Sequence, residues 1–299
     1  MIRQESHAAY RGTASRECML FCVFCRTEAN EKTVRPRTFS PGNMLLTLPQ
    51  ETVNEVIGYL REEGSALRSL STVAKRFTEE CRRHLFASIH IDSEEKVARW
   101  CDTIPPGEDR LSRHVRFLYV DTWSGGSTCI SILRGHPAHL RSFTQVKHLS
   151  ICPLNLTEFS NQDLVHCFGH FSTVRSICIQ PTGGHSSILS FLAAFPLLET
   201  TRITYPLVLQ GEPEDVNLPN LVCRGDLILS NLMSDNCNSE ILFSCLTRPT
   251  TCYRMLRLEF VKVDNPASLE RFFEVCSGSL ESFQFIHCFF GEHRVRLYQ

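Results

Sequence analysis

The sequence predicts an α/β chain in which a short helical unit near the start precedes a solenoid of parallel strands with helices on the outer side. Two observations carry this. An apolar-x-x-apolar-x-apolar pattern, suited to a strand with one buried face, recurs from Phe86 to Phe285. Its middle positions are Ile89, Leu118, Leu149, Ile177, Thr201, Leu227, Leu256 and Phe283. They are spaced about 24 to 31 residues apart, the period of a stacked repeat array. Helix-spaced apolar groups lie between the strands: Leu164, Val165, Phe168 and Phe171; Ile188, Leu189, Leu192 and Phe195; Leu269, Phe272 and Phe273. Each unit therefore reads as one strand plus one helix. The competing arrangement is an ordinary α/β domain whose strands happen to be evenly spaced.

Composition narrows the function classes. The chain has 299 residues, 42% hydrophobic, enough for a substantial core. With 31 basic and 32 acidic residues the net charge is −1, so no basic field exists for a phosphate backbone, and a nucleic-acid partner is disfavoured. No apolar run has the length to span a bilayer, and no membrane partner is expected. The 15 cysteines are odd in number and scattered, and many sit inside apolar runs, as Cys152, Cys178 and Cys288 do. That usage fits reduced thiols in the cytoplasm or nucleus.

In chain order, residues 1–43 read as a disordered leader around one apolar patch, Cys18 to Cys25. Cys22 and Cys25 have half the spacing of a zinc site, with no second pair to complete it, so no metal is expected. A helical unit follows over 44–90, and the repeat domain over 91–299. Thr47 and Gln50 stand in the capping-box relation, and Pro49 lies in the first turn, where its missing N–H costs little. Val53, Val56, Ile57 and Leu60 form one helical stripe, and Gly64 is expected to break it. Leu67, Leu70, Ala74, Phe77, Cys81 and Leu85 form a second stripe over one bent helix or two short ones.

This segment resembles an F-box of the divergent type common in fungal proteins. Leu48, Pro49 and Glu51 match the opening Leu-Pro-x-Glu, and Val56, Ile57 and Leu60 match the positions after it. Leu70, Val73, Lys75, Arg76 and Phe77 match the run of the later helix, and Leu85, Phe86, Ile89 and Ile91 match its close. Phe77 and Phe86 stand where the family has tryptophans. The resemblance implies a docking module that holds a Skp-family adaptor, and through it a cullin-RING ubiquitin ligase. The implied contact residues are Leu48, Pro49, Glu51, Val53, Val56, Ile57, Leu60, Leu67, Leu70, Val73 and Phe77. A unit of about 45 residues is marginal alone, and an exposed apolar stripe on it suits a helix-in-groove partner.

Beyond it, Asp92 and Glu95 are expected to cap a helix through Lys96, Val97 and Trp100, which Pro105, Pro106 and Gly107 end. The later strands resemble a leucine-rich repeat of the longer type. Only Leu280, Phe283, Phe285, Cys288 and Phe290 meet that family's full pattern. Elsewhere its Asn/Cys position holds Trp123, Leu154, Thr182, Pro206, Leu232 and Val261, so an irregular solenoid is expected. Alternate strand residues face opposite ways, and the residues between apolar positions line the open face that repeat proteins use for binding. Those assigned to it are His90, Tyr119, His148, Ser150, Arg175, Arg202, Arg257 and Gln284, as the surface for a protein substrate of unknown identity.

Catalytic signatures are sparse. The sequence has no nucleophile elbow, phosphate loop or zincin motif. Gly183-Gly184-His185-Ser186 reads as a strand-to-helix turn, and His136/His139 and His166/His170 lack a third ligand. Neither a catalytic residue nor a cofactor is assigned. The expected function is substrate-receptor subunit of an SCF-type ubiquitin ligase, with chemistry done by other subunits. The alternatives are a repeat scaffold unconnected to any ligase, and a hydrolase built on the Gly183 loop.

Overall fold

The computed structural model describes residues 48–103, 110–121, 135, 140–156, 159–182, 185–204, 222–232, 242–243, 246–247, 250–263, 266–290 and 293–294. The expected leader with its cysteine patch, Thr47, Pro105 to Gly107, Trp123, His136, His139, Gly183, Gly184 and Pro206 lie outside them. Pro49 to Gln299 forms one compact unit.

Three helices open it: α1 (Gln50–Tyr59), α2 (Gly64–Val73) and α3 (Lys75–Leu85). Pro49 itself takes the N-cap position, and its carbonyl accepts the Val53 N–H at 3.1 Å. With Pro49 at the N-cap, Gln50 is the first helical residue and not the third that a capping box requires. Its amide donates to Asn54 Oδ1 at 2.7 Å and to the Arg76 carbonyl at 3.4 Å, tying α1 to α3. Nor does Gly64 break α1. The helix ends at Tyr59 with the Leu60 and Arg61 amides turned back onto Ile57 and Gly58, and Gly64 is the first residue of α2. Ala74 alone separates α2 from α3, extended at φ −153° and ψ 143°, which settles the choice between one bent helix and two. Val53, Ile57, Leu67, Phe77 and Cys81 fill the space between the three helices, each at most 2% exposed.

Charge joins helix α3 to the lead-in of the second strand, a 3₁₀ turn over Ser112–His114. Arg113 Nη2 donates to Glu79 Oε1 at 2.6 Å, and His114 Nε2 lies 3.3 Å from the same oxygen.

The eight expected strands all form: β1 (Ser88–Ile91), β2 (Phe117–Asp121), β3 (His148–Asn155), β4 (Ser176–Thr182), β5 (Thr200–Thr204), β6 (Val222–Leu232), β7 (Thr250–Val263) and β8 (Ser282–Ile286). Each pairs in parallel with the next in sequence, so their spatial order is their chain order. A short β9 (Phe289–Phe290) extends the pairing along the end of β7, and β10 (His293–Arg294) runs antiparallel to β9. The register is the one the apolar pattern requires. Ile89, Leu118, Leu149, Ile177, Thr201, Leu227, Leu256 and Phe283 are consecutive cross-strand partners. Two residues on, Ile91, Val120, Ile151, Ile179, Ile203, Leu229, Leu258 and Phe285 make a second row.

Helices α4 (Glu94–Thr103), α5 (Asn161–Phe168), α6 (His185–Ala193) and α7 (Pro266–Cys276) follow β1, β3, β4 and β7. Val97, Phe168, Ile188, Leu189, Leu192, Leu269 and Phe272 join the strand rows in one continuous core. Each such side chain contributes about 1.5–3 kcal/mol of burial. Phe283 departs from the expectation of a buried middle position: it is 47% exposed, because β8 is the last strand of the row, and it packs edge-on against Phe273 and Phe285. Asp92 also departs. Ser93 caps α4 by accepting the Lys96 N–H at 3.4 Å, while the Asp92 carboxylate takes the Lys96 ammonium at 2.6 Å. Helix α5 carries a reciprocal cap that the sequence reading omits. Asp163 N–H donates to Ser160 Oγ at 3.1 Å, and Ser160 N–H returns a bond to Asp163 at 3.0 Å.

One glycine sets the join between β5 and β6. Gly225 has φ +75°, and a Cβ there would stand 1.9 Å from the Glu199 carbonyl oxygen. The carbonyl accepts the Asp226 N–H at 2.8 Å, so it cannot give way without breaking the ladder. Gly225→Ala is therefore expected to destabilise by about 3 kcal/mol or more in chemical denaturation. Gly64→Ala, with open space around its Cβ, is expected to be neutral or stabilising by up to about 1 kcal/mol.

Candidate functional site

Period-2 alternation leaves the odd face of this sheet polar. The row between the two apolar rows runs His90, Tyr119, Ser150, Cys178, Arg202, Ile228, Arg257 and Gln284, each the cross-strand partner of the next. Six of the eight residues assigned to the open face thus stand in one line across all eight strands. His148 stands one row earlier, between Phe117 and Ser176. Its ring stacks on Phe117 with centroids 4.6 Å apart and planes 3° from parallel. Partial burial, aided by the Lys147 charge, holds its pKa below the ordinary imidazole value.

Arg175 stands outside this row. It precedes β4, where its carbonyl accepts the Glu199 and Thr200 amides and its guanidinium pairs with Glu199 at 2.5 Å. Of the two residues between Val174 and Ile177, Ser176 is already the first of β4, and Arg175 lies just before the strand begins. Cys178 and Ile228 were missed because they look apolar. The rule of taking the residue after each middle apolar position finds both.

Charge on the face is concentrated around Glu259, three residues past the middle position of β7. Only 6% of it is exposed. Arg202 reaches from β5 across β6 to bond it at 3.1 Å, and Arg257 pairs with its other oxygen from within β7. Both arginine side chains are 38% exposed. One row earlier, Arg254 donates to Asp226 at 3.2 Å. At the opposite edge, His90 lies 6.4 Å from Tyr119 ring to ring, with Asp92 and Asp121 within 4.0 and 3.9 Å of its nitrogens.

Beside the arginines sit two thiols. Cys152 hydrogen-bonds to Cys178 across the β3–β4 boundary, and that bond is the largest influence on Cys178, drawing its pKa down to about 7. Burial opposes it, while the Arg202 charge and hydrogen bonds from Ser150 and Thr204 work in the same direction as Cys152. Both cysteines are half-buried, and both are thiols outside any disulfide. The apolar runs around them group them, in sequence, with the inert core thiols.

The adaptor-contact residues divide by exposure. Val53, Ile57, Leu67 and Phe77 are sealed in the helices' own core and cannot touch a partner without unpacking it. Leu48, Leu60 and Leu70 are half-buried, and Pro49 and Glu51 are exposed. Val56 is 37% exposed and Val73 61%, and Tyr59, one turn from Val56 and not among the expected contacts, is 79% exposed.

His166 and His170 do not form a helical pair. Helix α5 ends at Phe168, His166 lies exposed with Nε2 3.2 Å from Arg141, and His170 packs in the following turn against Phe171. Among the described residues no three His, Cys, Asp or Glu side chains converge as metal ligands, and no helix is long and apolar enough to cross a membrane. The side chains of His185 and Ser186 lie outside the described residues, as does the Gly183 loop. No protein-family model matches the chain, and no significantly similar curated protein was found.

This electrostatics sets two outcomes. Glu259→Leu leaves Arg202 and Arg257 facing each other without their shared acceptor. It is expected to cost about 3 kcal/mol in urea denaturation, most of it recovered when both arginines are also made methionine. Burial holds His170 down to a pKa of about 4. A lowered histidine pKa means the unfolded chain binds the extra proton, so this contribution is whole above pH 6.5 and is lost as pH falls toward 4. Between pH 7.5 and 5 the wild-type chain is expected to lose about 2 kcal/mol more stability than His170→Gln.

Proposed function

We propose that the chain is the substrate-receptor subunit of an SCF-type ubiquitin ligase, its F-box-like helices over 44–90 holding a Skp-family adaptor and its leucine-rich-repeat-like sheet recruiting a protein target. One observation carries this: the three-helix unit has a filled core and still leaves Val56, Tyr59 and Val73 exposed. Large apolar side chains left out of a satisfied core suit a partner. The sequential parallel order of the strands supports the repeat half of the reading. So does Cys288, which donates to the Leu258 carbonyl at 3.3 Å, the role of the buried Asn or Cys in such repeats. The mechanism is proximity: a target lysine held beside a charged carrier enzyme reacts at a raised effective concentration. Such a subunit needs no catalytic residue or cofactor of its own, and it works in the cytoplasm or nucleus. The alternative, a repeat scaffold tied to no ligase, is favoured by the Arg113 bond to Glu79, which would let the helices serve as a cap on the sheet.

Affinity capture of the full chain from its own cells separates the two. The adaptor and a cullin are expected with the wild-type chain. Tyr59→Asp with Val73→Asp is expected to weaken adaptor capture more than 10-fold at unchanged melting temperature, since both side chains lie mostly in water. Wild-type chain that brings down neither adaptor nor cullin decides for the scaffold.

A further inference from the structure

The open face carries one cluster that recruitment of a target does not use. Strand β3 supplies Ser150 and Cys152, β4 supplies Cys178, and β5 supplies Arg202 and Thr204. Ser150 is the register partner of Cys178, and Cys178 of Arg202. β3 and β4 slip register between Ile151 and Leu154, so Cys152 leaves the regular ladder and its thiol meets Cys178. Asp121 is the partner of Cys152 on the side away from Cys178. Arg202 is shared with Glu259 on β7, which Arg257 also holds. Cys178 is thus a half-buried sulfur on an open surface, ringed by two hydroxyls, a guanidinium and a second thiol.

We propose that Cys178 is a nucleophilic site for small hydroperoxides, with Cys152 as its resolving thiol. The Cys178 thiolate attacks one peroxide oxygen. An S–O bond forms, the O–O bond breaks, and the alkoxide or hydroxide leaves with a proton from solvent. Arg202 and the Ser150 hydroxyl are the donors beside the sulfur that stabilise charge on the separating oxygens, the Thr204 hydroxyl being donated to the Ile179 carbonyl. Cys152, deprotonated by solvent, then attacks Cys178 Sγ. The S–S bond forms, the S–O bond breaks, and hydroxide departs as water. Two thiols lose two electrons in total and the hydroperoxide gains them, giving one disulfide, one alcohol or water, and one further water. The low pKa of Cys178 makes it reactive near neutrality, where an ordinary thiol is only a few per cent thiolate. This site is independent of any adaptor.

The test uses the full reduced chain and two probes, hydrogen peroxide and tert-butyl hydroperoxide, at low molar excess, with unreacted thiols then blocked and peptides mapped by mass spectrometry. A Cys152–Cys178 disulfide is expected before oxidation of the more exposed Cys252, and it is expected to reverse with a thiol reductant. Iodoacetamide alkylation of Cys178 is expected to be half-maximal near pH 7 and to move to higher pH in Cys152→Ala. In that variant a sulfenic acid at Cys178 is expected to be trapped by a dimedone probe. Cys178 remaining reduced while Cys252 oxidises overturns the proposal. So does a Cys178 sulfenic acid in the wild-type chain with Cys152 still a thiol. The peptide map needs no variant, so a misfolded Cys152→Ala leaves the proposal open to refutation.

Discussion

The hydrogen-bond ladder between successive parallel strands is the constraint from which the rest of this molecule derives. A parallel ladder leaves each strand no freedom of register once one face is buried, because a slip of one residue turns every side chain over. Here the register is fixed by seven apolar middle positions and the buried Thr201, which pair in sequence from Ile89 to Phe283. The turns repeat the same logic. The carbonyls of Arg116, Lys147, Arg175 and Arg254 each accept an amide from the start of the next strand. A carbonyl that would otherwise be orphaned at a strand start is satisfied by its neighbour, and the unit propagates.

The polar face is set by the same register, and its electrostatics are those of a surface whose charges are paired but still open to solvent. Glu259 is buried because two guanidiniums replace its water. Arg202 and Arg257 keep their outer faces open because one carboxylate cannot cover both. Arg254 with Asp226 repeats the pattern at lower cost nearer solvent. The face therefore holds little uncompensated charge, so recognition there rests on shape and on directed hydrogen bonds more than on long-range steering.

Much of this was legible in the chain because it is carried by local period. Strand positions, strand order, the face occupied by Arg202, Arg257 and Gln284, and the outer helices all rest on residues a few places apart. What was not legible depends on partners distant in sequence. Gln50 bonds across to Arg76, Arg202 to Glu259, and Cys152 meets Cys178 through a register slip. Arg175 fell outside the row because it lies one residue before β4 begins. Val53, Ile57, Leu67 and Phe77 were assigned to a partner because an apolar stripe does not say which half of it the unit keeps for itself. The Ser160/Asp163 cap was readable and was overlooked.

The unequal strand lengths have a physical account in the same terms. Leu154, Leu232 and Val261 stand five residues past their middle positions, where β8's unit has Cys288, and they are at most 1% exposed. An apolar side chain there cannot satisfy backbone groups, so the ladder must. β3, β6 and β7 run on through those positions for 8, 11 and 14 residues, and Leu154↔Pro181 and Leu232↔Val261 are still paired. β8, whose matching residue is Cys288, stops after 5 residues, and the Cys288 thiol supplies the bond to Leu258 instead. β6, β7 and the chain just after β8 pass a shared kink. Asn231, Phe260 and the residue after β8, His287, lie at one register position with φ of 60°, 53° and 51°. Asn adopts that left-handed conformation readily; Phe and His do so at a cost of about 1 kcal/mol or more each. The stacking of Phe260 on His287, centroids 5.0 Å apart, offsets part of that cost. The kink recurs whether the next residue is Leu232, Val261 or Cys288, so it belongs to the backbone ladder and not to the side chain that follows it.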